Sequence, residues 1–175
     1  MEVSIRRALA EDAVAVALLA GRSFRDAFGT DNTPDDIEDY IRESFAMERV
    51  REEMLDASNI FLLAFTAASV SPVGYAKLRT GETEPSVTGP DPLELHRLYL
   101  EQGAIGFGVG AALMRASLDA AWHGGYRTLW LGVWERNPRA IAFYERWGFV
   151  VTGQHEFQLG SDRQTDLIMA RSVEA

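Results

Sequence analysis

Residues 105–114 read IGFGVGAALM, three glycines in five positions that run into an apolar, helix-like stretch. Glycine lets a backbone turn sharply and approach a ligand closely. At the start of a helix the unpaired N–H groups also favour an anion. One glycine is enough for a tight strand-to-helix turn. Three, alternating with Phe107 and Val109, leave one side of the backbone free of side chains, which suits a pyrophosphate. No Lys or Arg lies inside the turn, and none is required, because backbone N–H groups and the helix dipole supply the positive field.

Other phosphate-binding readings fit less well. GFGVGA (106–111) matches the dinucleotide pattern G-x-G-x-x-G/A in form. In that fold the first glycine follows its strand almost directly, whereas EQGAI (101–105) intervenes here. The rest of the chain is also too short for the further βαβ units that fold needs. A P-loop is excluded because no Gly-Lys-Ser/Thr follows.

Outward from the turn, LELHRLYL (93–100) reads as the strand before it and 108–122 as the helix after it, closed by Gly124 and Gly125. TLWLGVW (128–134) is the next strand. Asn137 then caps a helix that has Pro138 at its first position and Gly148 at its end. Two strands follow, at about 149–158 and 164–172. Towards the N-terminus, 3–8 reads as a strand and 11–28 as an amphipathic helix. Two shorter helices, PDDIEDYIRESF (34–45) and MERVREEMLD (47–56), come next, followed by a hairpin of IFLLAFTA and VGYAKLRT. GETEPSVTGPD (81–91) is the one long polar loop. The order β-α-α-α-β-β-β-α-β-α-β-β predicts an α/β fold, with one mixed sheet and helices on both faces. No linker or repeat interrupts it, so 1–175 is expected to be a single domain.

Composition narrows the function. The chain has 175 residues, 47% apolar and 25% charged, as soluble globular proteins do. No apolar run is long enough to span a bilayer and no signal-peptide core is evident, so no membrane association and a cytoplasmic location are expected. With no cysteine, disulfides, thiolate metal sites and a cysteine nucleophile are excluded. A net charge of −9 argues against nucleic acid and suits a cationic ligand. His123 and His155 are scattered, and no metal-ligand spacing is present.

The second motif is WERNPRAIAFYERWGF (134–149). Together, LYLEQGAIGFGVGAALM (98–114) and LWLGVWERNPRAIAFYERWGF (129–149) resemble the GNAT superfamily of acetyl-CoA-dependent N-acetyltransferases. FRDAFGTDNTPDDIEDYI (24–41) and TGQHEFQLGSDRQTDLIMAR (152–171) look like its PaiA-type subgroup, whose substrates include spermidine and spermine.

The resemblance implies a GNAT-like fold with a mixed, mostly antiparallel sheet of about seven strands. It implies acetyl-CoA as co-substrate, no metal, a small-molecule amine acceptor, and a homodimer as in many relatives. The turn Ile105, Gly106, Phe107, Gly108, Val109, Gly110 and Ala111 would hold the CoA pyrophosphate. The strand after the turn's helix would splay away from its neighbour to admit the pantetheine arm. Leu98, Tyr99 and Leu100 would meet the thioester carbonyl and pantetheine through their backbone. Asn137, Ala140 and Tyr144 stand at the spacings of the Asn-x-x-Ala-x-x-x-Tyr helix, with Tyr144 near the sulfur as proton donor.

Two positions depart from the family pattern. Ile105 stands where Arg or Gln is usual at the start of the turn. His96 stands where the strand often carries a Glu base, with Glu94 two residues before it. Strand alternation points Glu94 and His96 to one face, so either could take the amine proton, directly or through water.

Each of these residues also has a structural reading. Tyr144 sits on an amphipathic helix and could simply pack, and Asn137 could only cap. Trp130 and Trp134 alternate on their strand and are expected to pack. Asp31, Asp35 and Asp36 suit either a polyamine ammonium or a helix start. Three functions follow: a polyamine N-acetyltransferase, a peptide or protein N-terminal acetyltransferase, and a catalytically silent CoA-binding domain.

Overall fold

The computed structural model describes residues 2–160 and 162–174. Seven strands form one sheet in the order β1-β2-β3-β4-β5-β7-β6. They are β1 (Val3–Arg7), β2 (Asn59–Thr66), β3 (Gly74–Arg79), β4 (Pro92–Leu100), β5 (Thr128–Trp134), β6 (Val150–Leu159) and β7 (Asp162–Ser172). Every neighbouring pair is antiparallel except β4 and β5, which run parallel. A parallel pair needs a crossover. Here it is α4 (Val109–His123), the helix that follows the glycine turn.

The helices lie on the two faces of the sheet. On one face α4 sends Val109, Leu113, Met114 and Ala121 into a core with Leu62, Ala64, Ala76, Leu78, Leu93, Leu95, Leu129 and Leu131. α5 (Pro138–Arg146) packs at its margin through Ala140, Ile141, Phe143 and Tyr144. On the other face α1 (Ala13–Phe28), α2 (Pro34–Ser44) and α3 (Met47–Leu55) cover Phe61, Leu63 and Tyr75. The period of two along β2 and β3 thus divides consecutive residues between two cores.

Helix ends follow the local chemistry. Thr33 caps α2 by accepting from Asp36 N, so Asp35 and Asp36 occupy the first turn of a helix, as one of the two sequence readings had them. Gly148, at φ +82°, closes α5 in the left-handed region. Two boundaries differ from expectation. α4 starts at Val109 rather than 108, because Gly108 takes φ +86° and becomes the capping residue. A 3-10 turn at Ala10–Asp12 precedes α1, held by Asp12 accepting from Leu9 N at 2.8 Å.

Candidate active site

The parallel pair β4–β5 is short. Its register runs Pro92 with Thr128, Leu93 with Leu129 and Glu94 with Trp130, and ends there. Beyond that point β4 continues to pair with β3 as far as Leu100, and β5 with β7 as far as Trp134. The two strands therefore part into a V in mid-sheet, as the family resemblance implied. Backbone groups of Leu98, Tyr99 and Leu100 on the side facing β5 have no strand partner among the described residues. Such an edge can pair with an extended amide chain.

The glycine turn sits at the β4 end of this V. Gly106 and Gly108 both lie in the left-handed region, at φ +87° and +86°. A Cβ added at either would meet nothing within 4 Å, so the space over the turn is open. No side chain among the described residues caps α4. Its first-turn N–H groups, at Val109, Gly110 and Ala111, face this space with the positive end of the dipole. Gly110 packs on Leu100 and Phe143, at 3.8 and 3.7 Å for an added Cβ, which ties the turn to β4 and α5. Phe107 is exposed and Ile105 is half-buried. An uncapped helix start behind two left-handed glycines fits a pyrophosphate held by backbone alone.

Asn137 heads α5, its side-chain oxygen accepting from Ala140 N at 3.1 Å. That bond uses the amide oxygen and leaves the NH₂ group for another partner. About two turns beyond Asn137, Tyr144 packs edge-on against Phe143 and Phe149, at ring separations of 5.4 and 5.8 Å. Burial pushes the Tyr144 phenol up to about 12, so it holds its proton throughout the neutral range. A protonated phenol suits a proton donor.

Strand β4 is bulged. Lys77 pairs with Arg97 but Leu78 pairs with Leu95, so His96 is the extra residue. The bulge interrupts the simple alternation expected for Glu94 and His96. Glu94 is buried and bound to Arg79, Nε to Oε2 at 2.7 Å. Burial raises its carboxyl above the usual range, while Arg79 acts the other way. His96 is surrounded by cations. Burial, then Arg97, Lys77 and Arg79, lower its imidazole to about 2. Its Nδ1 is buried with no hydrogen-bond partner among the described residues. Behind it, Glu53 of α3 holds Lys77 at 3.0 Å and Arg97 at 2.9 Å.

A further group on the same face escaped sequence reading. His155 of β6 approaches Glu84 of the 81–91 loop at 2.7 Å through Nδ1, and Asp166 of β7 at 3.7 Å through Nε2. Each ring nitrogen faces a different carboxylate, so the three do not converge as ligands. Among the described residues no set of His, Asp or Glu could hold a metal ion. Trp130 and Trp134 are both buried, as expected; Trp134 packs on Phe28 at 5.6 Å. No helix is long and apolar enough to cross a membrane among the described residues.

Known proteins agree with this geometry. The acetyltransferase (GNAT) family matches residues 22–149. An uncharacterized N-acetyltransferase of Mycobacterium bovis is 33% identical over 162 residues, 93% of this chain and 98% of its own. One from Lactobacillus delbrueckii subsp. lactis is 29% identical over 155 residues, 89% of this chain and 88% of its own. Among solved structures, the PaiA N-acetyltransferase of Thermoplasma acidophilum in complex with coenzyme A superposes with a TM-score of 0.80. It is 24% identical, over 98% of this chain and 99% of that one. The ribosomal-protein-S18-alanine N-acetyltransferase of Escherichia coli gives 0.73 at 18% identity, over 99% and 96%. With the parted strands and the uncapped glycine turn, these matches show that the chain belongs to the GNAT acetyltransferase family, whose enzymes take their acetyl group from acetyl-CoA.

Proposed function

We propose that this enzyme acetylates the primary amine of a small cationic molecule, a polyamine first among them, by direct attack in a ternary complex. The parting of β4 and β5 beneath the open start of α4 carries the reading. It provides an edge for the pantetheine amides and an anion seat at one end. The net charge of −9 and the overall likeness to the PaiA acetyltransferase support a cationic acceptor.

Acetyl-CoA supplies an activated acyl group, and the protein supplies position and proton handling. Ile105, Gly106, Phe107, Gly108, Val109, Gly110 and Ala111 hold the pyrophosphate through backbone N–H groups. Leu98, Tyr99 and Leu100 fix the pantetheine and meet the carbonyl as it gains charge. Asn137 uses its free NH₂ on the pantetheine, and Ala140 keeps that approach open. Tyr144 gives its proton to the departing sulfur. Glu94 and His96 face the acceptor. His96 stays neutral and accepts a hydrogen bond from the amine, while the buried Glu94 draws positive charge towards the bulge. No covalent enzyme intermediate is needed.

Thiol release measured over a panel of amines and peptides tests the reading. Spermidine and spermine are the expected acceptors. Turnover with peptide N-termini alone would move the acceptor class, and CoA binding without turnover on any amine would mean a silent CoA-binding domain.

A further inference from the structure

Gly132 is the one exposed residue of β5, a strand whose other six residues are all buried. It lies two residues past Trp130, where β5 leaves β4, and therefore at the mouth of the V. A central strand is exposed there because Gly132 has no side chain. Over its missing Cβ stand Asp166 Oδ2 at 3.4 Å and the His155 ring at 3.9 Å. The result is a recess with backbone for its floor and a carboxylate in its wall. Trp134, packed at a tilt against Phe28, bounds it further along β5.

Two unpartnered groups mark the same side of the sheet. Trp130 is 3% exposed and its indole N–H has no partner among the described residues. His96, two residues past Glu94, the last β4 residue paired with β5, has its Nδ1 buried and without a hydrogen-bond partner among the described residues. Buried polar atoms are normally satisfied, so unpaired ones beside an open recess point to a ligand or water that completes them. A neutral His96 Nδ1 can accept from an amine N–H, and the indole can donate only to an oxygen or nitrogen lone pair.

We infer that the recess over Gly132 receives the reacting ammonium of the acceptor, and that Asp166 takes its first proton. This rests on the amine-acetylating reading above. Glu84 and His155 are positioning residues: Glu84 fixes the imidazole, and the imidazole faces Asp166.

The protons balance. The ammonium gives one proton to Asp166 and becomes a neutral amine. Its lone pair forms the C–N bond, the C–S bond breaks with its electron pair on sulfur, and Tyr144 protonates that sulfur. The second amine proton returns to Tyr144, and Asp166 releases the first to solvent. The surroundings of Asp166 suit this task. Burial raises its carboxyl above the usual range, with His155 acting the other way. The charged and titratable groups around it are His155 of β6, which acts on it directly, Glu84 behind that ring, and Tyr40 of α2, whose phenol the Asp166 charge helps to raise.

Asp166→Asn and Gly132→Ala test the inference. The second adds a methyl group at ordinary contact distance from Asp166, so it fills the recess without forcing the sheet apart. With spermidine and acetyl-CoA, Asp166→Asn is expected to lower kcat/KM by about 100-fold and to remove the acidic limb of the pH profile. Gly132→Ala is expected to raise the amine KM by about tenfold. Both should leave CoA affinity by calorimetry unchanged. A second readout needs no turnover: putrescine titrated into the CoA complex should shift the His155 ring signals in NMR of the parent protein and not in Asp166→Asn. Wild-type kcat/KM, an unmoved pH profile and an unmoved His155 ring would overturn the assignment. If the parent enzyme acetylates no amine, the proposed function fails by that result, and the NMR titration alone decides for or against the recess.

Discussion

Arg97 of β4 donates from Nη1 to Glu53 Oε2 of α3 at 2.9 Å, and both groups are largely shielded from water. The same oxygen faces Lys77 Nζ at 3.0 Å. One carboxylate therefore compensates two buried cations at the β4 bulge. Arg97 also lies over the Phe45 ring, at 4.9 Å. This knot sits directly behind His96 and holds the strand in its bulged register.

Glu53→Gln should consequently be among the most destabilising single changes in the molecule. It leaves Lys77 and Arg97 buried without a counter-charge, a loss of about 3–5 kcal/mol for a broken buried pair. Urea titration of the parent and variant checks it. A change below about 1 kcal/mol would mean that the two cations find water, as surface pairs do.

His96 predicts a pH dependence of stability with a definite sign. Its folded value of about 2 lies below the ordinary 6.5. Between those values the unfolded chain binds a proton that the folded chain refuses, so stability falls as pH drops through that window. The slope from this one group is at most about 1.4 kcal/mol per pH unit. Lys77, pushed down to about 8 mainly by burial, behaves likewise at the other end, where stability rises as pH climbs from about 8 towards 10.5. His96→Gln keeps a polar side chain and removes the titration. Its melting temperature should depend less on pH between 4 and 6 than that of the parent, and an unchanged dependence would show that His96 is protonated in the fold.

The glycine turn and the Asn137–Tyr144 helix were readable in advance because their chemistry is local. A left-handed φ at Gly108 and a cap from Asn137 to Ala140 involve neighbours in the chain. The order of elements, with its crossover at α4, was readable for the same reason. The bulge at His96 was not, since it depends on how β4 meets β3 and on Glu53, 44 residues from Arg97. Glu84 and His155 are 71 residues apart and meet only when the 81–91 loop folds against β6. His155 thus read as a scattered histidine. Nothing in the sequence singled out Gly132, because its exposure depends on the parting of β4 from β5.

Tyr144→Phe separates chemistry from binding. The phenol is protonated and shielded, and its ring packs on Phe143 and Phe149, contacts that phenylalanine keeps. The variant should fold normally and bind CoA with unchanged affinity. Without a proton for the leaving sulfur, kcat should fall by about 100-fold. An unchanged kcat under conditions where chemistry limits turnover would remove Tyr144 from the proton-donor role.

Ile105 is the most instructive position in the proposed phosphate cradle. It is extended, with φ −73° and ψ 134°, and only half-buried after the 3-10 turn Gln102–Ala104. Its side chain therefore has room to change without disturbing the left-handed glycines beyond it. On the proposed reading an Arg there would add a charged donor beside the pyrophosphate, and Ile105 leaves the seat to the dipole and N–H groups of α4. Ile105→Arg should keep the fold and tighten CoA binding by roughly three- to tenfold at low salt, the range of a solvent-exposed, charge-assisted contact. The gain should shrink as salt rises, because screening acts on the new charge far more than on the backbone seat. Calorimetry at low and high ionic strength reads both effects. Equal affinity for parent and variant would place the phosphates away from residue 105, nearer the N–H groups of Val109–Ala111.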